Sequence, residues 1–174
     1  TMMRVELPKP IRQGESTQFQ IEWWYNINDR AEVGGRGGLE YFPEDDNYVY
    51  TMAQWFPRMA VYDDVNGWQN KQFLGTGEFA LPFGNYEVEI TVPSDHIVAA
   101  TGVLQNSETV LSKQQAARLK EAENSETPVM IVTQSEAEKN EKKKAKDSKT
   151  WVFKANNVRD FAFATSRKYI LDGQ

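Results

Sequence analysis

Apolar and polar residues alternate over several short stretches of the chain, and a two-residue period marks a strand with one buried face and one wet face. In Thr17–Trp23 the residues Phe19, Ile21 and Trp23 alternate with polar neighbours, which predicts a half-buried strand. Phe79, Leu81 and Phe83 alternate, Gly84-Asn85 offers a turn, and Val88, Ile90 and Val92 alternate against Glu87, Glu89 and Thr91. That order predicts a hairpin with one core face. Tyr48 to Tyr62 is the most apolar region, and Asp63-Asp64-Val65-Asn66-Gly67 closes it with turn chemistry. Further strands are expected over His96–Leu104, broken at Thr101-Gly102, over Thr127–Thr133, at Trp151-Val152-Phe153, and over Val158–Ala164.

The texture changes at Ser112. Ser112 with Gln115 makes a capping box, and Gln115 to Glu123 are good helix formers. Glu136 to Lys149 then carries six lysines and four acids, with no apolar residue larger than alanine. Such a stretch is expected to bury nothing and to be a solvated or disordered excursion. A basic patch for acidic partners is the sharper reading, and the interleaved acids weigh against it. Six or more short strands with turns between them give an all-β fold, an antiparallel sandwich or saddle-shaped sheet, with one short helical excursion. Positions 1–174 read as a single β domain, partial or complete, with a helical and lysine-rich insertion at about 112–149.

Composition narrows the function classes. The 12% aromatic content favours strands, and the 40% hydrophobic content is enough for a core. A formal net charge of −5 gives no electrostatic reason to expect nucleic acid. No stretch approaches the roughly 18 apolar residues of a membrane span. Thr1 to Val5 lacks the apolar core of a signal peptide, so an export signal in a longer parent would lie upstream. Absence of cysteine excludes disulfides and thiolate zinc sites. The single histidine, His96, cannot supply the two or three imidazoles of a usual catalytic zinc. No metal ligand set is therefore assigned.

Three local patterns invite chemistry and read better as structure. Ser94-Asp95-His96 holds triad residue types, but adjacent residues cannot converge as a triad must, and Pro93-Ser94-Asp95 reads as a turn. Asp63, Asp64 and Asn66 could be calcium ligands, yet the twelve-residue loop pattern with its terminal glutamate is missing. Gly34-Gly35-Arg36-Gly37-Gly38 lacks the following helix of a phosphate-cradling loop and reads as a loop between strands.

Several stretches together resemble one family. Thr51-Met52-Ala53-Gln54-Trp55-Phe56-Pro57-Arg58-Met59-Ala60-Val61-Tyr62-Asp63-Asp64 resembles a segment late in the N-terminal domain of aminopeptidase N-like zinc metallopeptidases. Gly77-Glu78-Phe79 to Val92-Pro93, followed by Ile97 to Gly102, resembles the strands that follow it in that family. Trp151-Val152-Phe153 and Arg159 to Ala164 resemble its closing strands, before the catalytic domain begins. The resemblance covers most of positions 5–112 and 150–172 and skips the lysine-rich stretch.

The resemblance implies a non-catalytic β-saddle domain whose partner is the remainder of a longer parent chain. Zinc, the H-E-x-x-H helix and the general base would lie in that parent's catalytic domain, so this piece has no enzyme activity and no cofactor of its own. Gln54 matches the position that binds the free amine of the peptide substrate. An ammonium has donors only, so a side-chain oxygen suits the task. Met52 stands where the family usually has glutamine, and Gln54 is neutral, so it holds an ammonium less strongly than a carboxylate would. The alternative for Gln54 is a side chain satisfied within the sheet. Two other functions remain open: a carbohydrate-binding module, with Trp23, Trp24, Trp55 and Trp68 as a stacking platform, and a purely structural domain.

Overall fold

Two strands of strong alternation, Gly84–Pro93 and Ser148–Val158, pair along their length although some sixty residues separate them. The computed structural model describes residues 2–72, 75 and 80–174. The chain divides into two units, Thr1–Asn26 with Phe56–Pro82, and Ile27–Trp55 with Phe83–Gln174. Among the described residues the fold is mostly β, in antiparallel sheets with short helices.

In the second unit, a helical turn α1 (Arg30–Val33) precedes β1 (Gly38–Phe42) and β2 (Asn47–Met52). The first unit contributes β3 (Tyr62–Asp63) and β4 (Gly67–Trp68), a short antiparallel pair. The long strand β5 (Gly84–Pro93) is followed by β6 (Ile97–Ala100) and β7 (Val103–Leu104). Then come α2 (Ser107–Val110), α3 (Lys113–Ala122), β8 (Val129–Val132) and α4 (Gln134–Asn140). The chain continues through β9 (Ser148–Val158), β10 (Phe163–Ser166) and β11 (Leu171–Gly173).

β9 lies between β5 and β7 in one sheet, and a second sheet runs β1-β2-β10-β6. The β5–β9 register sets Val88 opposite Phe153 and Ile90 opposite Trp151. One face of that pair is therefore apolar. The other is polar: Thr91 Oγ1 lies 2.8 Å from Thr150 Oγ1, and Lys154 lies 3.4 Å from Glu87. Trp151, Phe153 and Phe161 are 1%, 4% and 0% exposed, and the Phe153 and Phe161 rings meet edge to face at 6.3 Å. Large flat side chains removed from water supply most of the stabilisation such a sheet can gain. β8 pairs with β11, and α3 packs on β8, where Arg118 Nη1 donates to the Ile131 carbonyl at 3.2 Å.

The expected break at Thr101-Gly102 separates β6 from β7. Gly102 has φ +92°, and a Cβ there would come 2.4 Å from the Lys154 carbonyl oxygen, so only glycine fits. The expected α3 is present with both halves of its capping box.

Five expectations need correction. Residues 17–23 form no strand: Phe19 and Trp23 are 57% and 46% exposed, and no described strand pairs with them. Alternation supplies a face, but a strand also needs a partner for its backbone. The hairpin at Gly84-Asn85 is absent, because both residues belong to β5. Asn85 Oδ1 accepts from Asn157 N at 2.9 Å where the β5–β9 register shifts, so the turn-like pair serves an irregularity inside a long ladder. Phe79, the start of that expected hairpin, lies outside the described residues. The strand expected over Val158–Ala164 is interrupted, because β9 ends at Val158 and β10 begins only at Phe163.

The fourth correction concerns Glu136–Lys149, which is neither wholly solvated nor without burial. Thr133 and Glu136 form a reciprocal capping box that starts α4, and Ala137 is 4% exposed. Glu136 also lies 2.7 Å from Arg118, joining α4 to α3. At the far end, the Glu141 carbonyl accepts from Asn47 Nδ2 at 2.8 Å, and Lys168 bridges the carboxylates of Asp45 and Glu141. Polar anchors replace the missing apolar ones. The four-residue α1, rather than a strand, precedes the glycine-rich loop, whose end leads into β1.

Candidate functional site

Gln54 follows directly on the end of β2. Met52 closes that strand, is 7% exposed and pairs with Phe163 of β10. Three residues further on, Trp55 donates its indole N–H to the Phe161 carbonyl at 3.0 Å and meets Phe163 edge to face at 5.5 Å. The chain between these anchors is short, and it turns with Gln54 at φ +53°. That left-handed conformation is uncommon for a residue with a Cβ. Gln54 is exposed, and its side chain has no hydrogen-bond partner among the described residues. A fixed backbone thus presents a free amide, which can accept from a donor or donate to an acceptor.

Ser94, Asp95 and His96 do not converge. Pro93 to His96 is a turn, closed by His96 N donating to the Pro93 carbonyl at 2.9 Å. Ser94 Oγ donates to Asp147 Oδ1 at 2.7 Å. Asp95 Oδ2 accepts from Ala145 N at 2.7 Å and lies 2.8 Å from Arg167 Nε. His96 is 3% exposed, and its Nδ1 lies 3.1 Å from Thr165 Oγ1. Because the Thr165 hydroxyl donates to the Ile97 carbonyl at 3.0 Å, the imidazole is the donor to Thr165. Burial, with the Arg167 charge adding to it, pulls His96 down to about 4, so the ring is neutral at pH 7. This is a structural network. Arg167 and Thr165 were not legible from local sequence, since they lie about seventy residues from the turn they complete.

Asp63 is fully occupied by its own turn. Its Oδ1 accepts from Val65 N at 2.9 Å and Asn66 N at 2.6 Å, and its Oδ2 accepts from Gln69 Nε2. These bonds, the one from Asn66 first, hold the carboxyl below its usual range. Among the described residues no group of three His, Cys, Asp or Glu side chains is placed to hold a metal ion. In the first unit, Trp24 is 86% exposed, and Trp68 meets Tyr62 edge to face at 5.2 Å. Trp55 instead packs within the second unit through Phe161 and Phe163.

Among the described residues no helix is long and apolar enough to cross a membrane. No family model, curated protein or solved structure matches the chain.

Proposed function

We propose that this chain is the non-catalytic N-terminal domain of an aminopeptidase N-like zinc metallopeptidase, and that Gln54 accepts a hydrogen bond from the amino end of the peptide substrate. The observation that carries this reading is the presentation of Gln54: exposed, unpartnered among the described residues, and held at φ +53° between the anchors Met52 and Trp55. Sparsely populated backbone conformations cost free energy and concentrate where a side chain must be aimed. A second support is the pairing of two segments that carry the family resemblance. Thr51 and Met52 pair with Ala164 and Phe163, and Trp55 bonds to Phe161, although more than a hundred residues separate them.

On this reading the domain supplies positioning and the rest of the parent supplies zinc and general base. The amide oxygen of Gln54 takes one of the three ammonium protons, and a misplaced amine would lose that bond. In the full-length parent, Gln54→Ala is expected to lower kcat/KM for peptides with a free amino end by roughly ten- to a hundredfold, the worth of one acceptor to a charged donor. Cleavage of N-blocked peptides should change little. Gln54→Glu should sharpen the preference for free amines, because a carboxylate pairs better with ammonium. An unchanged free-to-blocked ratio in both folded variants would contradict the proposal.

A further inference from the structure

A cleft of about 610 Å³ opens between the turn after β5, the start of α3, and α4 with the residues that follow it. Its volume is in the range of small-molecule sites, roughly 300–1,000 Å³. Lys139, Lys143, Lys144 and Lys149 line it, together with Asp95 and Glu136. The two carboxylates are already neutralised from within the protein, Asp95 by Arg167 at 2.8 Å and Glu136 by Arg118 at 2.7 Å. Lys144 turns to Asp46, 3.4 Å away, and to the Asp45 and Asp46 carbonyls. The other three lysines form no ion pair with a carboxylate among the described residues. Lys139 has no hydrogen bond or ion pair there at all. Lys143 Nζ donates to Asn140 Oδ1 at 3.2 Å, and Lys149 Nζ donates to the Val110 carbonyl at 2.8 Å.

Lys149 is the telling residue. Its ammonium sits 4.9 Å over the Trp151 ring and is half-buried, and burial pulls it down to about 8. Asp95 opposes that shift and the like charge of Lys143 adds to it. The acid nearest to it, Asp95, is already paired with Arg167, so a half-buried ammonium here gains from a further anionic partner. One of its three protons is committed to Val110, which leaves two for a ligand.

We propose that this cleft binds a small molecule bearing a phosphate- or sulfate-type dianion, held by Lys139, Lys143 and Lys149. Three lysines that form no ion pair line one cavity, and a tetrahedral dianion has enough oxygens to meet all three. Ser112, also on the lining, accepts from Gln115 N through its Oγ and so keeps its hydroxyl proton for the same group. The proposal is independent of the peptidase reading, since Gln54 is not among the lining residues.

The test is titration of the folded chain at fixed ionic strength with inorganic pyrophosphate, orthophosphate, sulfate and acetate, read by calorimetry and by backbone amide shifts. Saturable one-to-one binding of a dianion is expected, with shifts concentrated at residues 94–97 and 139–149, and no saturation by acetate. A preference for phosphate species or for sulfate supports the site equally and assigns the source of the oxyanion. Lys139→Gln combined with Lys143→Gln should weaken binding at least tenfold. Lys120→Gln with Lys154→Gln, the same charge change away from the cleft, should weaken it less than twofold. Lys149→Met should also weaken binding at least tenfold without lowering Tm, which separates lost binding from lost folding. Absence of saturation by every dianion, or equal loss in the two double variants, would overturn the proposal.

Discussion

At the scale of single residues, the charged and polar groups that matter have partners far away in sequence. Asp95 is closed by Arg167 and by the amide of Ala145, and Asn47 by the Glu141 carbonyl. Local reading could find the Pro93-Ser94-Asp95 turn, because turn preference is carried by the residues themselves. It could not find what satisfies Asp95 or His96, because those partners arrive through strand pairing. His96 yields a pH prediction. Its folded value is about 4, below the ordinary 6.5, so between those values the unfolded chain takes up a proton that the folded chain refuses. Stability should therefore be flat above pH 6.5 and fall as pH drops toward 4, by up to about 3 kcal/mol. Asp95 and Glu136 have lowered values, so they lose their contribution at lower pH, below the ordinary carboxylate range. Urea unfolding across pH 4–7 should show the slope, and His96→Asn should flatten it. An unchanged slope in that variant would assign the effect elsewhere.

At the scale of elements, the sequence showed faces better than partners. The alternation of Val88, Ile90 and Val92 is the inward face of β5, yet its partner is β9, some sixty residues on, rather than a local hairpin arm. The buried aromatic pair Trp151 and Phe153 stands opposite Ile90 and Val88 across that ladder. The helix α3 was legible from Ser112 and Gln115. The same signature, Thr133 with Glu136, announces α4, but lysine content masks it because composition says nothing of caps. Glu136 holds both the α4 cap and Arg118. Glu136→Ala should therefore destabilise the chain by about 1–2 kcal/mol, the usual worth of a cap with a partly buried partner. Amide exchange should rise across Gln134–Asn140 more than across β5. Equal protection in variant and parent would mean that the helix is held by other contacts.

At the scale of the molecule, the aromatic content and spaced turns did announce a mostly β, antiparallel fold. The lysine-rich stretch was the larger surprise. Its acids and bases are interleaved in sequence but differ in pairing: Glu136 and Glu141 are paired with Arg118 and Lys168, while Lys139, Lys143 and Lys149 line the cleft without an ion pair. Net charge along a segment cannot reveal such sorting. The proposed function is a division of labour, in which this domain would position substrate and another part of the parent would hold the metal. Elemental analysis of zinc tests it most directly, comparing the full-length parent with this chain alone after purification without chelator. The account predicts about one zinc per full-length molecule and none above background in the isolated chain. Stoichiometric zinc in the isolated chain, or a full-length parent free of zinc, would contradict it.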